Sequence, residues 1–560
     1  MSSKRQHQPD YAMAQARKAK ARGDWQSARS LYEKIYQNDK KNVEVLSSLT
    51  LLNMDMSNLV DAYAYARELE QVMPGDINVG LMTSVILMRF GKLRDARDML
   101  LKLRESFPNR VEVLHNLHSV ETQAKQHQQA AQYAMAAIEL NPTDPNAYNN
   151  LGASMSALGL KNQAKAAFEV VVALQPGHGT ANANLALILA GENKIDEAIV
   201  LLERVLKAAE AKRDEGNIQA VRHNLGFQYL KAGRLEEGWR FSEAGFSSHI
   251  DQNRGRRPQR SFKKPRWKGE PLNGRTLMVW REQGLGDEIL FSTCLKELEG
   301  IDGKVIVECE SRLIRTLQRS FPDFHFREVA YYNSPGLPAY HHDYDVQIPI
   351  GSLCGIYRNR IEDFTRSGPF IEVDPERALV YRERLAEAVA GQGPKRLVGI
   401  CWRSGMIEPS RNSGYTNLAD WKDIFDVPGV QLVNLQYGQC EDEIVAAEQA
   451  FGVSILRWED LNLQKDLDNV FALMSCLDEV ITVATSTNTM AAAVGAKVRL
   501  MSTGKGWPFL GTNRYPFFPN VQVYIPQDEE PFLSVLPRVA ADLRETLGAA
   551  IAESVLDAVA

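Results

Sequence analysis

The segment best equipped for chemistry is the run Glu-Gln-Gly-Leu-Gly-Asp-Glu that starts at Glu282. Apolar, β-branched residues before it predict a strand over 276–280, and the residues after it predict a helix. Glycines between a strand and a helix let the backbone pass close to a ligand, and the first N–H groups of the helix attract an anion. Asp287 can cap that helix or, if it faces a cleft, accept a proton from an attacking hydroxyl. Gly284, Gly286 and Asp287 are therefore candidate site residues.

A second loop carries side chains suited to phosphate groups. It follows a predicted strand over 397–402 and contains Arg403, Ser404 and Arg411. A planar guanidinium bonds two oxygens at once and stays charged, so the two arginines are candidates for binding a diphosphate. Salt bridging at the surface is the alternative interpretation.

A third loop precedes a helix of small residues that runs from Met490 to Gly495. Hydroxyl and backbone N–H groups at a helix N-terminus form a phosphate seat, although serine, threonine and asparagine are also ordinary N-caps. The pair Asp343 and Asp345 is interpreted as a surface loop leading into a strand, so no metal site is predicted. The candidate residues of the third loop are Thr485, Ser486, Thr487, Asn488 and Thr489.

Short apolar runs alternating with helices predict parallel sheets beyond Leu272. Two doubly wound domains would place a ligand cleft at the carboxyl ends of their strands. The predicted strands are 276–280, 304–309 and 345–348 in the first domain, and 397–402, 431–435, 480–483, 497–501 and 521–525 in the second.

The first half of the chain contains a repeat. Pro74, Pro108, Pro142 and Pro176 stand 34 residues apart, which is the spacing of tetratricopeptide (TPR) helix pairs. In phase with them are four alanines, where only a methyl group would let two helices cross closely: Ala62, Ala96, Ala130 and Ala164. The last unit has Gly238 in place of alanine, followed by Trp239, and is interpreted as a cap fitted to whatever follows.

The predicted organisation is a helical solenoid joined to an α/β region. The solenoid covers residues 9–246 in about seven repeats, and a basic segment, 247–271, is interpreted as a solvated linker. Attraction of a phosphate-bearing substrate or an anionic membrane is the alternative for that segment. Two Rossmann-like domains follow over 272–385 and 386–530, and a final helix, 531–560, is predicted to cross back over the first of them.

Asparagine recurs at one position of the first helix in four repeats: Asn116, Asn150, Asn184 and Asn224. That position faces the inner groove of a TPR superhelix. An amide both donates and accepts hydrogen bonds, so a ladder of amides can hold an extended polypeptide backbone with little sequence preference. Asparagine is also common there in repeats of every function, so both interpretations stay open.

Composition narrows the classes of function. The 65 basic and 70 acidic residues give a net charge of −5, which does not favour wholesale nucleic-acid binding. The sequence has no apolar run that would cross a bilayer and no apolar core of a signal peptide near its start. Its six cysteines lack metal-binding spacing and are expected to be reduced thiols in the cytoplasm.

With these motifs in order, the chain resembles a bacterial family that joins TPR repeats to a glycosyltransferase domain related to the lipopolysaccharide heptosyltransferases. The matching segments include EQGLGDEILF, VGICWRSG, RNSGYTNL, VNLQYG and ITVATSTNTMAAAVGA. The resemblance implies a two-domain B-type (GT-B) fold, an inverting reaction and no bound metal or other cofactor. Some proteins of similar layout modify flagellin or other surface proteins.

The same resemblance implies roles for individual residues. Asp287 corresponds to the catalytic base, Arg403 and Ser404 to residues that meet donor phosphates, and Thr485 to the nucleotide-side motif. The chain departs from the family at Ala484, where aspartate is usual, and at Thr489, where histidine is usual.

Three functions are consistent with the sequence. The first is a glycosyltransferase that moves a hexose, a heptose or a nonulosonic sugar from a nucleotide-sugar donor to serine or threonine of a protein held by the repeats. The second is a glycosyltransferase that acts on a glycan or lipopolysaccharide. The third is a TPR scaffold with an inactive catalytic domain.

Overall fold

The computed structural model describes residues 3–250, 255–258, 260–329, 343–405, 414–527 and 530–559. The chain divides into two compact units, Met1–Ile188 and Leu189–Ala560. Within the described residues, no helix combines the length and apolar character that crossing a bilayer requires.

The described part of the chain begins with helices that follow one another in pairs, as the repeat spacing predicts. They are α1 (Ser3–Ala21), α2 (Trp25–Asn38), α3 (Val43–Asp55), α4 (Leu59–Val72), α5 (Ile77–Arg89), α6 (Leu93–Ser106), α7 (Val111–Gln123), α8 (His127–Leu140), α9 (Pro145–Ala157), α10 (Lys161–Leu174), α11 (Gly179–Gly191), α12 (Ile195–Lys212), α13 (Glu215–Lys231) and α14 (Leu235–Ser242).

The prolines and alanines of the repeat occupy the structural positions that the sequence predicts for them. Pro108 comes two residues after the end of α6, and Pro142 comes two residues after the end of α8, because proline cannot continue a helix. The four in-phase alanines are fully buried, in agreement with the predicted close packing of the paired helices.

A charged stretch over residues 208–216 extends two neighbouring helices of the solenoid. It lengthens α12 to 18 residues and α13 to 17, against 13 in α9 and 14 in α10. Helix α12 ends at Arg213 in the left-handed conformation, with φ of 54°, and Asp214 then caps α13 by accepting the N–H of Asn217 at 3.2 Å.

Two parallel sheets follow in the second unit, built from ten strands within the described residues. The strands are β1 (Thr276–Trp280), β2 (Lys304–Cys309), β3 (His325–Glu328), β4 (Val346–Pro349), β5 (Arg396–Cys401), β6 (Val430–Asn434), β7 (Ile455–Leu456), β8 (Glu479–Val483), β9 (Lys497–Met501) and β10 (Val521–Tyr524). The helices around them are α15 (Leu285–Ser292), α16 (Ile314–Ser320), α17 (Leu353–Tyr357), α18 (Pro375–Ala388), α19 (Lys422–Phe425), α20 (Glu441–Phe451), α21 (Leu467–Met474), α22 (Ser486–Ala493) and α23 (Val535–Val559).

Strand order explains where a ligand can bind. The first sheet has the order β3-β2-β1-β4 and the second has the order β10-β9-β8-β5-β6-β7, with every pairing parallel. When strands β5 to β10 are renumbered one to six, the second sheet has the order 6-5-4-1-2-3, which is the doubly wound order. The order reverses between β1 and β4 in one sheet and between β5 and β8 in the other, and ligands bind at the carboxyl ends of strands at such points.

The basic segment differs from the predicted solvated linker. Arg256 is 5% exposed and forms an ion pair with Glu282. Arg260 is paired with Glu308 of β2, and the backbone N–H of Trp267 donates to Gln347 of β4 at 2.8 Å. These partners lie far along the chain, so local composition did not reveal that the segment belongs to the first sheet domain.

The final helix also differs from its prediction. Rather than crossing back over the first sheet domain, α23 packs on the second one, where Val535, Val539 and Leu543 are buried in the same core as Val398 and Ile400 of β5. A guanidinium nitrogen of Arg544 donates to the carbonyl oxygen of Asp423 at 3.2 Å. An apolar helix face predicts that the helix packs on a hydrophobic core, but it does not indicate which sheet provides that core.

Candidate functional site

A cleft of about 960 Å³ lies at the carboxyl ends of the strands, between the two sheets of the second unit. It receives residues from the loops that follow β1, β5 and β8, the three strands that precede the predicted site loops. The site candidates that line it are Gly284, Gly286, Asp287, Ser404, Thr485, Ser486, Thr487, Asn488 and Thr489.

The loop after β1 presents an acid to this cleft. Gln283 has a left-handed backbone, with φ of 61°, and Gly284 is the N-cap of α15. The turn places Asp287 in the first turn of α15, where it is half-buried. A carboxylate there is stabilised by the positive end of the helix dipole.

Tyr515 lies beside that acid. Its side chain is 5% exposed, and burial raises the pKa of its hydroxyl. A hydrogen bond with Asn488 opposes this rise, and the negative charge of Asp287 adds to it. The hydroxyl is therefore neutral and can donate a hydrogen bond at physiological pH.

Gly286 explains how two helix starts come together. A Cβ atom at position 286 would lie 3.4 Å from Cα of Ser486 and 3.6 Å from Oγ1 of Thr489. Helices α15 and α22 therefore approach each other closely at their N-terminal turns. Both positive helix ends point at the cleft region that contains Asp287.

The loop after β8 forms an ordered helix cap. The hydroxyl of Thr485 accepts the N–H of Thr487 at 3.3 Å, and the hydroxyl of Thr489 donates to the carbonyl oxygen of Ser486 at 3.0 Å. Thr487, Asn488 and Thr489 are buried, whereas Thr485 and Ser486 are half-buried. Thr489 thus stabilises the loop, and Ala484, the other departure from the family pattern, lies exposed at its start.

A glutamine holds the loop after β5. Oε1 of Gln436 accepts the backbone N–H groups of Trp402 at 3.1 Å and Arg403 at 3.0 Å. The hydroxyl of the next residue, Ser404, lies 3.4 Å from the hydroxyl of Tyr437. Gln436 comes from the loop after β6, so two neighbouring strand ends together place Ser404 in the cleft.

Arg403 is turned away from the role that the sequence suggested. Its Nη2 donates to the carbonyl oxygen of Gln439 at 2.7 Å, its Nε lies 3.1 Å from Glu443, and Glu443 raises the pKa of the guanidinium. This surface ion pair is the alternative that the sequence left open. Arg411 lies outside the described residues.

Three cationic residues line this cleft of about 960 Å³, which we call the main cleft, but were not identified as donor-binding from the sequence. They are Arg257, Arg312 and Lys465. Nη1 of Arg312 donates to the carbonyl oxygen of Gln464 at 2.5 Å, and its Nε donates to Glu310 at 3.0 Å. Arg257 belongs to the basic segment, which was the one available signal, whereas Arg312 and Lys465 have ordinary sequence surroundings.

A buried acid stands directly behind Asp287. Glu288 is 1% exposed, and its Oε1 accepts the backbone N–H of Glu310 at 2.7 Å. Its Oε2 lies 2.6 Å from Nε of Arg281. Burial raises the pKa of Glu288 to about 7, although Arg281 opposes the rise. These contacts tie the first turn of α15 to the ends of β1 and β2.

The chain is similar in sequence to known proteins. Protein FlbA of Caulobacter vibrioides is 30% identical over 448 residues, which are 78% of this chain and 73% of that protein. The chain belongs to the FlbA family. This FlbA-family chain also matches a family model described as tetratricopeptide repeat over residues 133–166, which confirms the predicted repeats there.

Two weaker similarities concern only part of this FlbA-family chain. Aspartyl/asparaginyl beta-hydroxylase of Mus musculus is 29% identical over 108 residues, which are 19% of this chain and 14% of that enzyme. A tetratricopeptide repeat protein from Parabacteroides merdae covers 42% of this chain and 91% of its own, with 15% identity and a TM-score of 0.35.

The candidate acceptor-binding asparagines of the FlbA-family chain are half-buried. In the first unit, Asn116 contributes to an apolar cavity of about 550 Å³ on α3, α4 and α5, and Nδ2 of Asn150 lies 3.2 Å from Nδ1 of His115. Asn184 is also half-buried on α11. Asn224 lies on α13 in the second unit.

Within the residues described, the FlbA-family chain has no group of three or more histidine, cysteine, aspartate or glutamate side chains arranged to hold a metal ion.

Proposed function

We propose that this chain is an inverting glycosyltransferase of the two-domain B type. It transfers a sugar from a nucleotide-sugar donor to a serine or threonine hydroxyl of a protein, without a metal or other cofactor. The observation that carries this proposal is that Asp287 and the N-terminal turn of α22 line one cleft between two doubly wound sheets. A carboxylate base and an anion seat within one cleft are what this reaction requires.

The reaction balances with these groups. The acceptor oxygen forms a bond to the anomeric carbon of the sugar while the bond from that carbon to the donor phosphate breaks. Asp287 takes the hydroxyl proton, and the nucleoside diphosphate leaves with the electron pair. Asp287 lies half-buried in the first turn of α15, at the positive end of that helix.

Several groups would stabilise the negative charge that develops on the leaving phosphate. Thr485, Ser486 and the first N–H groups of α22 are one set. Arg257, Arg312 and Lys465 supply positive charge in the same cleft. We assign the donor phosphates to these cations instead of Arg403, which is engaged with Glu443.

The repeats would deliver the acceptor. Half-buried amides on α7, α9, α11 and α13 support hydrogen bonding to an extended polypeptide. Flagellin or another surface protein is the acceptor that the sequence resemblance suggests, and the cytoplasmic location predicted from the sequence is part of the proposal.

Transfer can be tested with the purified full chain, candidate nucleotide sugars and lysate from its own cell. The mass of intact acceptors distinguishes a protein acceptor from a glycan acceptor. We expect Asp287→Asn to lower transfer by about 10²–10⁴-fold, because a positioned base contributes that much, with nucleotide affinity retained. Asp323→Asn, which changes an exposed acid elsewhere in the first sheet domain, is the matched control. Unchanged turnover in Asp287→Asn would remove the base assignment.

A non-catalytic scaffold is the second candidate. It is favoured by Ala484 and Thr489, which lack the charge and the imidazole usual in the resembling family. If this candidate is correct, the wild-type chain binds acceptor protein in a pull-down assay but shows neither sugar transfer nor donor hydrolysis with any nucleotide sugar.

A further inference from the structure

A small aromatic pocket opens beside Asp287, on a different side from the α22 seat. It has a volume of about 160 Å³, and Gln283 and Asp287 line both this pocket and the main cleft. At about 30 Å³ for each molecule of liquid water, it has room for about five waters, which corresponds to one side chain and not to a helix. We call it the aromatic pocket.

Its walls come from three parts of the second unit. Phe227 lies on α13, Trp239 lies on α14, Phe291 lies on α15, and Trp507 belongs to the loop after β9. Trp507 stacks on Phe291 with ring centres 5.6 Å apart and meets the edge of Trp239 at 6.1 Å. The last helix pair of the solenoid thus forms one wall of a pocket next to the proposed base.

Two polar side chains of the aromatic pocket, those of Arg256 and Ser242, are already engaged. Arg256 donates from Nε to Glu282 at 2.6 Å and from Nη1 to Glu243 at 2.9 Å. The hydroxyl of Ser242 donates to the carbonyl oxygen of Trp239 at 2.7 Å. A sugar ring placed here would have to replace its hydrogen bonds to water with bonds to Gln283 and Asp287 at one side of the pocket, whereas an apolar side chain has none to replace.

The pocket is also continuous with the helix that carries the last of the candidate acceptor-binding asparagines. Asn224 and Phe227 are three residues apart on α13, so they occupy neighbouring positions of one helix face. A polypeptide that passes Asn224 would therefore reach the aromatic pocket immediately before Asp287.

We propose that the aromatic pocket binds the apolar side chain of a residue adjacent to the acceptor serine or threonine in a polypeptide. This inference rests on the proposed function and adds sequence preference on the acceptor side. It makes the last helix pair a determinant of specificity at the reacting end of the cleft.

The test compares two short serine peptides, one flanked only by glycine and one with a single leucine next to the serine. We expect the leucine peptide to have a kcat/KM at least about tenfold higher, since burying one leucine side chain gains about that factor. Phe227→Ala should reduce the ratio between the peptides toward one, and Phe227→Leu should restore part of it. Phe90→Ala, at an exposed phenylalanine of the first unit, should keep the wild-type ratio.

A second measurement separates the possible failures. Calorimetry with the same peptides, with alanine in place of serine, reports binding without turnover and should show the same preference for leucine. Transfer to both peptides with equal efficiency would overturn the aromatic pocket assignment alone. Preference for a glycan acceptor over both peptides would overturn it in favour of a sugar-binding subsite. Absence of transfer and donor hydrolysis in the wild type would overturn the proposed function and the inference together.

Discussion

Two helix pairs of the solenoid share one sequence frame but pack in different ways. In the pair α9–α10, Gly152 faces Phe168, and a Cβ atom at position 152 would lie 2.7 Å from Cε1 of that ring. In the pair α13–α14, Gly226 occupies the equivalent position and Ser242 replaces the phenylalanine. A Cβ atom at position 226 would lie 2.6 Å from the backbone N of Ser242.

The smaller residues of α13–α14 let its helices approach until backbone meets backbone. Gly238 replaces the buried alanine found in α10, and a Cβ atom there would lie 2.6 Å from Cγ of Leu230. The turn between the helices then approaches the loop after β9, since a Cβ atom at Gly511 would lie 2.6 Å from N of Gly233. Loss of side-chain volume thus lets the last repeat pack closely against the loop after β9.

The largest expected difference between the pairs comes from adding one methyl group to each. Gly226→Ala should lower the free energy of unfolding by about 2–3 kcal/mol more than Gly152→Ala, because backbone atoms cannot yield where the Phe168 ring can. The gain in helix propensity, about 1 kcal/mol, is the same in both variants and cancels. Urea unfolding of the full chain followed by circular dichroism measures both. Equal losses would contradict the proposed difference in packing.

Glu288 gives the second unit a pH dependence of its own. Its pKa is raised from 4.5 to about 7 in the folded chain, so the folded state binds more protons between these values. This contribution to stability is therefore greatest at low pH and falls as the pH rises from about 4.5 to about 7. We expect a change of about 2–3 kcal/mol over this range, which Glu288→Gln should abolish.

Urea unfolding at a series of pH values, with the wild type and Glu288→Gln side by side, checks this prediction. Hydrogen exchange of the α15 amides locates the effect. A variant with the same slope against pH as the wild type would show that Glu288 titrates normally.

A substitution at Trp239 tests the contact between the last helix pair and the first sheet domain. Its Nε1–H donates to the carbonyl oxygen of Arg358 at 2.8 Å, and both residues are buried. Trp239→Phe keeps an aromatic ring but leaves that carbonyl unsatisfied, so we expect a loss of about 1 kcal/mol in the free energy of unfolding. Trp25→Phe, at a 40% exposed tryptophan of α2, should change stability by less than about 0.5 kcal/mol.

The smallest effects on stability are expected at the asparagines. Asn150→Ala and Asn224→Ala should each change the free energy of unfolding by less than about 1 kcal/mol, because both side chains are only half-buried. If the amides bind a polypeptide backbone, each variant should weaken acceptor binding by about fivefold, the value of one hydrogen bond. Fluorescence anisotropy of a labelled acceptor peptide measures the affinity. Unchanged affinity in both variants would show that these asparagines do not bind the polypeptide backbone.

Much of the fold could be predicted because its signals are local. A strand over 276–280 is predictable from five consecutive apolar or β-branched residues, and it matches β1. Strand β3 was missed because His325–Glu328 is only four residues long and contains a single apolar residue, Phe326. Strand β7 was missed because it contains only two residues.

The candidate site was predictable in part for the same reason. The loops at Gly284 and Thr485 are predictable because glycine and hydroxyl residues lie between a predicted strand and a predicted helix. Arg312 and Lys465 carry no such signal, since their position in the cleft depends on how the two sheets meet. The sequence predicts a phosphate contact for Arg403 because it does not reveal the residue's actual partner. That partner, Glu443, lies forty residues away on α20.

The amino-acid sequence by itself determined the 34-residue repeat, the parallel strands and the two glycine- and hydroxyl-rich helix starts, because helix stops, strand propensity and helix caps depend on neighbours along the chain. Only the tertiary structure decided which cations face the cleft, which sheet receives α23, and that Phe227 and Trp239 border Asp287. Those outcomes depend on ion pairs and packing between residues distant in sequence, whose free energies no local pattern records.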